Sequence, residues 1–170
     1  MKKLLVSLVL ALVLMLGTAL PAIAATTADI TVTTTPAYVA IAIDIGIKDF
    51  GVVAESATPS TTTSYFTIDN TSSVQTDQTI AVTTTTWSGG VTWSHAEDAV
   101  PGTNTAGLKA NKGGTWGVGD VIVKNGTPNF IAENQAATTD YSFGLKLLAP
   151  TAFTDGVEKQ IIVRVTAVAG

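Results

Sequence analysis

Residues 39–47 read VAIAIDIGI, and this stretch decides the fold because its large apolar side chains fall at alternate positions. Val39 and four isoleucines occupy the odd numbers, whereas alanine, aspartate and glycine stand between them. Side chains of a β-strand alternate between two faces, so this period of two predicts a strand with one buried face. An amphipathic helix would instead repeat its apolar residues every three or four positions. We therefore predict a long strand over residues 39–47.

The same alternation recurs along the rest of the chain, and no sustained helical period interrupts it. Further strands are predicted around residues 30–33, 50–52, 65–68, 80–87, 91–93, 121–123, 130–131, 141–147 and 161–167. Residues 70–78 read as a polar turn, and residues 94–119 as a long irregular region with at most a helical turn near residues 96–99. Gly89-Gly90 predicts a two-residue hairpin, because glycine tolerates positive φ. Roughly nine to eleven short strands without a helix of note predict an all-β chain with a single β-sandwich domain, either immunoglobulin-like or a jelly roll.

Residues 1–24 have the three parts of a secretory signal peptide. Two lysines precede an apolar run over residues 4–16, and residues 22–24 read AIA, which signal peptidase accepts. The run is shorter than the ~20 residues that a membrane-spanning helix needs. We expect cleavage after Ala24, a sandwich domain over residues 25–170, and a secreted protein at the cell surface without a membrane anchor in the mature chain.

Charge and cysteine content exclude several classes of function. Removal of Lys2 and Lys3 leaves 7 Lys+Arg against 13 Asp+Glu, a net charge of about −6, which argues against nucleic-acid partners. The chain has no cysteine, so disulfides, thiolate metal sites and cysteine nucleophiles are excluded. Threonine is abundant, with 29 residues, and its β-branched side chain with a hydroxyl suits strands that face water or another subunit.

Residues 49–53, DFGVV, are followed after a polar stretch by YFTIDNTS at residues 65–72. Over residues 49–82 this pattern resembles the opening of immunoglobulin-like β-sandwich modules of the abnormal-spindle/hydin, or choice-of-anchor, type. The resemblance implies a fold and no activity. In composition and architecture the chain is also similar to camelysin-type biofilm fibre proteins and other extracellular filament subunits, which implies a structural role.

Catalytic chemistry finds little support in the sequence. His95 is the only histidine, and we interpret it as a solvated loop residue, since no serine lies in a Gly-x-Ser-x-Gly motif and further metal ligands are not evident. Most acidic residues fall in predicted turns or at strand ends, where they usually bond their own backbone; examples are Asp69, Asp77, Asp98, Asp140 and Asp155. A calcium site would need a spaced Asp-x-Asp-x-Asp loop, which is missing. We therefore predict no catalytic residue, metal or cofactor, and a protein that is not an enzyme.

Two sets of residues suggest surface chemistry with carbohydrate. Trp87, Trp93 and Trp116 would stack against sugar rings if exposed, although tryptophans are also common in sandwich cores. Asn70 and Asn125 stand in the acceptor pattern for N-glycosylation, at residues 70–72 and 125–127. A secreted carbohydrate-binding module is thus the alternative function, with polysaccharide as its partner.

Residues 25–38 carry the preferred functional prediction. They alternate polar residues with Ile30 and Val32, and Pro36 sets them off from the next strand. Such a segment either pairs within its own domain or completes the sheet of a neighbour by donor-strand addition. We expect Ile30 and Val32 to form the subunit contact. The predicted function is therefore an exported structural subunit that self-associates into an extracellular filament, sheath or surface layer.

Overall fold

Strands account for the regular structure of residues 31–170, the part of the chain that the computed structural model describes. Contacts divide the chain into two units, Met1–Thr35 and Pro36–Gly170, and every strand found in residues 31–170 lies in the second. Within the first unit, residues 31–35 are exposed and belong to no strand. The predicted signal peptide lies outside the described residues. Over residues 31–170, no helix has the length and apolar character that a membrane crossing requires.

Two sheets are formed, which confirms the all-β prediction and is consistent with a β-sandwich. The strands are β1 (Ile41–Ile43), β2 (Phe66–Asn70), β3 (Thr76–Val82), β4 (Thr86–Trp87), β5 (Trp93–His95), β6 (Thr105–Asn111), β7 (Val121–Ile122), β8 (Lys124–Asn125), β9 (Asn129–Gln135), β10 (Tyr141–Leu148) and β11 (Val163–Ala169). A seven-stranded sheet has the order β1-β2-β10-β6-β5-β4, and β7 also pairs with β6. A four-stranded sheet has the order β11-β3-β8, and β9 also pairs with β3.

The core lies where the apolar faces of the strands meet. In β3, buried and half-buried residues alternate along the whole strand, so Ile80 and Val82 point inwards while Thr79 and Ala81 face outwards. Burial of each large aliphatic or aromatic side chain stabilises the fold by about 1.5–3 kcal/mol. The core side chains are Phe66, Ile68, Ile80, Val82, Trp87, Trp93, Leu108, Val123, Ile131, Phe143, Leu145 and Leu147.

A buried amide organises the connection that follows β6. The Asn111 side chain is fully buried, and its oxygen accepts the N–H of Gly114 over 2.7 Å. Its Nδ2 donates to a carboxylate oxygen of Asp120 over 2.7 Å and to the carbonyl of Thr115 over 3.0 Å. One side chain therefore holds both ends of the loop over residues 112–120.

A single residue joins the two sheets along one side. Strand β7 pairs with β6 in the seven-stranded sheet, whereas β8 pairs with β3 in the four-stranded sheet. Only Val123 separates these two strands, and its side chain is fully buried. Its N–H donates to the carbonyl of Leu108 over 3.1 Å.

The long strand predicted over residues 39–47 is shorter in the structure, where only Ile41–Ile43 is a strand. The alternation itself is present, because Ile41, Ile43 and Ile45 are half-buried against the core. The ladder with β2 ends where the Asp44 carboxylate, in place of a backbone carbonyl, accepts the N–H of Thr67 over 2.7 Å. Ile47 lies beyond this point and is 83% exposed.

Several predicted boundaries were wrong. The supposedly irregular residues 94–119 include β6, which lies inside the seven-stranded sheet between β10 and β5. Residues 70–78 are not one turn, since β2 ends at Asn70 and β3 begins at Thr76. Gly89 and Gly90 have the positive φ that was expected, but residues 88–92 all lie between β4 and β5, so the hairpin connection is longer than two residues.

Candidate functional site

Strand β11 forms an edge of the four-stranded sheet and, over residues 31–170, pairs only with β3. Its sequence, VRVTAVA, has one charged residue and neither proline nor glycine. Edge strands usually carry prolines, bulges or several charges, which prevent pairing with another chain. Because β11 has only Arg164 for this purpose, its edge is suited to accept a further strand.

The hydrogen-bond pattern identifies the backbone groups of β11 that point away from β3 and, within residues 31–170, have no strand beside them. The N–H of Thr83 donates to the backbone carbonyl of Ile162, and the N–H of Gly170 donates to the backbone carbonyl of Gln75, each over 3.0 Å. In an antiparallel ladder, residues two apart direct their N–H and C=O groups to the same side, so the even-numbered residues of β11 bond to β3. The odd-numbered residues direct theirs away from β3. We call these groups the open edge; they belong to Val163, Val165, Ala167 and Ala169.

The open edge lies next to the apolar face of the sheet. Val163 and Val165 are half-buried, and their side chains pack against the core. A strand added beside β11 would place every second side chain on the same inner face. An alternating segment with small polar residues and occasional large apolar ones fits such a position.

The segment over residues 25–38 is described only in part. Residues 25–30 lie outside the described residues, and with them Ile30, one of the two residues of the predicted subunit contact. Val32 is 86% exposed and belongs to no strand. Regular bonding begins at Tyr38, whose N–H donates to Ser73 Oγ over 3.0 Å and whose carbonyl accepts the N–H of Ser73 over 3.1 Å.

Two of the three candidate tryptophans are core residues. Trp87 and Trp93 are 7% and 8% exposed, and their rings meet edge to face with centroids 6.4 Å apart. Trp93 also contacts Phe153, at 5.4 Å between ring centroids. They pair directly across β4 and β5, as expected for residues that flank a hairpin. Their rings face inwards, so these two side chains do not form an exposed platform for sugar.

The third tryptophan, Trp116, is half-buried in the loop that follows β6. Its indole N–H donates to the carbonyl of Thr61 over 3.0 Å. The ammonium of Lys146 lies 4.4 Å from the ring centroid, within range of a cation–π contact. One face of this ring is therefore occupied by the protein itself, which limits stacking to the other face.

The two asparagines of the glycosylation pattern both use their side chains inside the protein. Asn70 was expected in a turn, but it ends β2 and is only 2% exposed. Its Nδ2 donates to the carbonyl of Ala136 over 3.1 Å. A glycan on this nitrogen would break that bond and has no room in the folded domain. Asn125 is half-buried and donates its Nδ2 to the carbonyl of Val82 over 3.1 Å.

His95 is not the solvated loop residue that the sequence suggested. It lies in β5, is buried, and its Nε2 is 2.7 Å from the carbonyl of Val123. Its ring centroid lies 6.5 Å from that of Trp87. The residue therefore belongs to the core, and its neighbours are aromatic and backbone groups. Over residues 31–170, no three histidine or acidic side chains lie close enough together to hold a metal ion.

Several acidic side chains cap backbone groups, as their positions in turns suggested. Asp98 accepts the N–H of Val100 over 2.9 Å, and Asp77 accepts the N–H of Asn134 over 2.8 Å. The Asp155 carboxylate lies 2.8 Å from the ammonium of Lys159. This ammonium, with the backbone N–H of Val91, holds the pKa of Asp155 below its ordinary value. These acids therefore have structural partners.

No protein-family model, curated protein or solved structure matches the chain. Its role has to be inferred from its own residues, above all from the open edge of β11.

Proposed function

We propose that this protein is an exported structural subunit of an extracellular filament, sheath or surface layer, whose copies join by donor-strand addition. The observation that carries the proposal is the open edge, which presents the backbone groups of four alternate residues of β11. Residues 1–24 support the export, since they have the composition of a signal peptide. Low charge along the strands removes the usual barrier to pairing between copies.

Residues 25–38 of a neighbouring subunit supply the added strand. Each net backbone hydrogen bond contributes about 0.5–1.5 kcal/mol, so a ladder along the open edge gives most of the affinity. Ile30 and Val32 stand two residues apart and would reach the same face of the sheet, next to Val163 and Val165. The contact joins two different surfaces, and such contacts extend into fibres when the rotation between copies does not close.

The test uses the processed chain, residues 25–170, in a concentration series. We expect light scattering to rise with concentration and electron microscopy to show filaments or sheets. A synthetic peptide of residues 25–38 should suppress assembly, because it occupies the open edge but carries no folded domain with a further β11 edge to continue the fibre. The matched control peptide carries Ile30→Asp and Val32→Asp, which place charges on the inner face and should remove the inhibition.

Two results would contradict the proposal. One is a chain that stays monomeric up to the solubility limit. The other is assembly that neither peptide affects, which would place the contact between subunits elsewhere.

A further inference from the structure

A trough runs along β3 on the outer face of the four-stranded sheet, opposite the core. Its floor consists of the small outward-facing side chains of Thr79, Ala81 and Thr83. Arg164 and Thr166 of β11 form one wall. The other wall includes Asn125, Gly126 and Pro128. The volume of the trough is about 380 Å³. From Thr79 to Thr83 it extends for ~14 Å, at ~3.4 Å per strand residue.

One positive side chain, that of Arg164, lines this trough, and Lys124 lies beside it on the neighbouring strand β8. Arg164 lies opposite Ala81 in the ladder with β11, and Lys124 lies opposite Ala81 in the ladder with β8. Residues that lie opposite each other on neighbouring strands project from the same face of the sheet. Arg164 and Lys124 therefore both project from the outer face, as Ala81 does, and their Cα atoms are ~10 Å apart. Arg164 is the single arginine of the chain. Among residues 31–170 neither cation forms an ion pair, although the protein as a whole is acidic.

The neighbouring row of the sheet adds an aromatic ring and hydroxyl groups. Thr166, Thr79 and Phe130 lie side by side in register, and Phe130 is 43% exposed. Two residues before Thr79 on β3, Asp77 lies opposite Val168, and its carboxylate accepts the backbone N–H of Asn134. Arg164 thus lies beside the middle of the trough, and Asp77 lies outside the trough, beyond Thr79.

We infer that this trough binds an acidic polysaccharide, that is, a chain of sugars that carry carboxylate or sulfate groups. The guanidinium of Arg164 forms paired hydrogen bonds with one such anion, and Lys124 supplies a second positive charge. The exposed ring of Phe130 offers an apolar face for a sugar ring, and the threonine hydroxyls bond to sugar hydroxyls.

An extended peptide fits the trough less well than a polysaccharide. A peptide strand gains its affinity from backbone groups at a sheet edge, whereas β3 is paired on both sides along the floor. Only side chains are available there for recognition. Double-stranded DNA is disfavoured because it carries about one negative charge per 1.7 Å, a density that two cations along a trough of ~14 Å cannot neutralise. The inference concerns side chains on the outer face, so it does not depend on assembly through the open edge.

The test measures binding of the processed chain to polygalacturonate, dextran sulfate and neutral dextran at low ionic strength, by calorimetry. We expect at least one charged polymer to bind, neutral dextran not to bind, and added salt to weaken the binding. Comparison of the two charged polymers tells carboxylate from sulfate recognition. Arg164→Ala should weaken binding about tenfold or more, and Arg164→Lys by less, since lysine keeps the charge and loses the paired geometry.

Two further variants separate this site from general charge effects. Ala81→Leu fills the floor of the trough and should also reduce binding, while circular dichroism should show an unchanged fold. Lys109→Ala removes one positive charge from the other sheet, and it should leave binding unchanged. Equal binding by the Arg164→Ala and Lys109→Ala variants would overturn the inference. So would a failure of both charged polymers to bind the original chain.

Discussion

Replacement of Ala167 by proline should stop assembly while it leaves the isolated domain nearly as stable as before. The N–H of Ala167 belongs to the open edge, so proline at this position removes no hydrogen bond to β3. The next residue provides the matched control. The N–H of Val168 points towards β3, and Val168→Pro therefore removes a ladder bond and forces the ring against the neighbouring strand.

The two proline variants should differ in stability because the N–H groups they remove point in opposite directions, that of Ala167 away from β3 and that of Val168 towards it. For Ala167→Pro we expect a change in the free energy of unfolding within about 1 kcal/mol, because the position is on an edge and only local rearrangement is needed. For Val168→Pro, loss of a bond worth about 1 kcal/mol and the steric conflict together should cost about 2–4 kcal/mol. Urea denaturation of the dispersed monomers measures both values.

Assembly should respond differently from stability. Ala167→Pro removes one donor from the middle of the open edge and places a ring where the added strand would lie, so light scattering should stay low at concentrations that assemble the original chain. If Ala167→Pro destabilises the monomer as strongly as Val168→Pro does, the assigned hydrogen-bond pattern is wrong. If it is stable and still assembles normally, the added strand does not bind β11.

Three other changes probe the core, the loop after β6 and an ion pair. Trp87→Ala should lower the free energy of unfolding by about 3–5 kcal/mol, because the ring is buried, whereas Trp116→Ala should cost less; urea titration distinguishes them, and equal losses would contradict the assigned burial. Asn111→Ala should cost about 2–4 kcal/mol and increase amide exchange over residues 112–120, since a buried side chain with three hydrogen bonds of 3.0 Å or less is lost; unchanged exchange would show that other contacts hold the loop. Asp155→Asn should destabilise the protein at pH 7. Because the folded-state pKa of Asp155 is lowered, its contribution is present above the unfolded-state pKa and is lost as pH falls through the folded-state pKa. The difference between the two proteins should therefore begin to shrink near about pH 4 and disappear only below the folded-state pKa. A difference that is independent of pH would rule out the ion pair with Lys159 as its cause.

Alternation of apolar residues was enough to predict some strands closely. Strand β10 was expected over residues 141–147 and is Tyr141–Leu148, and β11 was expected over residues 161–167 and is Val163–Ala169. Both have large apolar side chains on one face and a long partner strand. The opposite case is β1, where the alternation continues to Ile47 but pairing stops after Ile43. Periodicity reports which side chains can be buried, and the length of a strand depends on its partner.

Strand β6 was missed because its buried residues are mostly small. Ala106, Gly107 and Ala110 lack the bulk that makes alternation visible in a sequence, although they lie in the middle of a sheet. At Gly107 an added Cβ would come within 3.1 Å of Ala99, so close contact between chain segments requires a small residue there. His95 was misassigned because its hydrogen-bond partner, the carbonyl of Val123, lies 28 residues further along the chain, so its burial is not visible in the local sequence.

The candidate functional surfaces depended still more on topology. The sequence predicted a donated strand with Ile30 and Val32, but it contained no sign that β11 would be an edge of the sheet. The β3 trough was equally hidden, since Lys124, Ala81 and Arg164 are far apart in the chain and become neighbours only through the register of three strands.

The junction at Val123 bears on how the protein would respond to mechanical load. With one residue between β7 and β8, the chain has almost no slack with which one layer could slide over the other. Force on either layer is thus transmitted to the other through a buried, hydrogen-bonded link. A fibre built from such units would stretch first at the joints between copies, and each sandwich would resist shear as a single body.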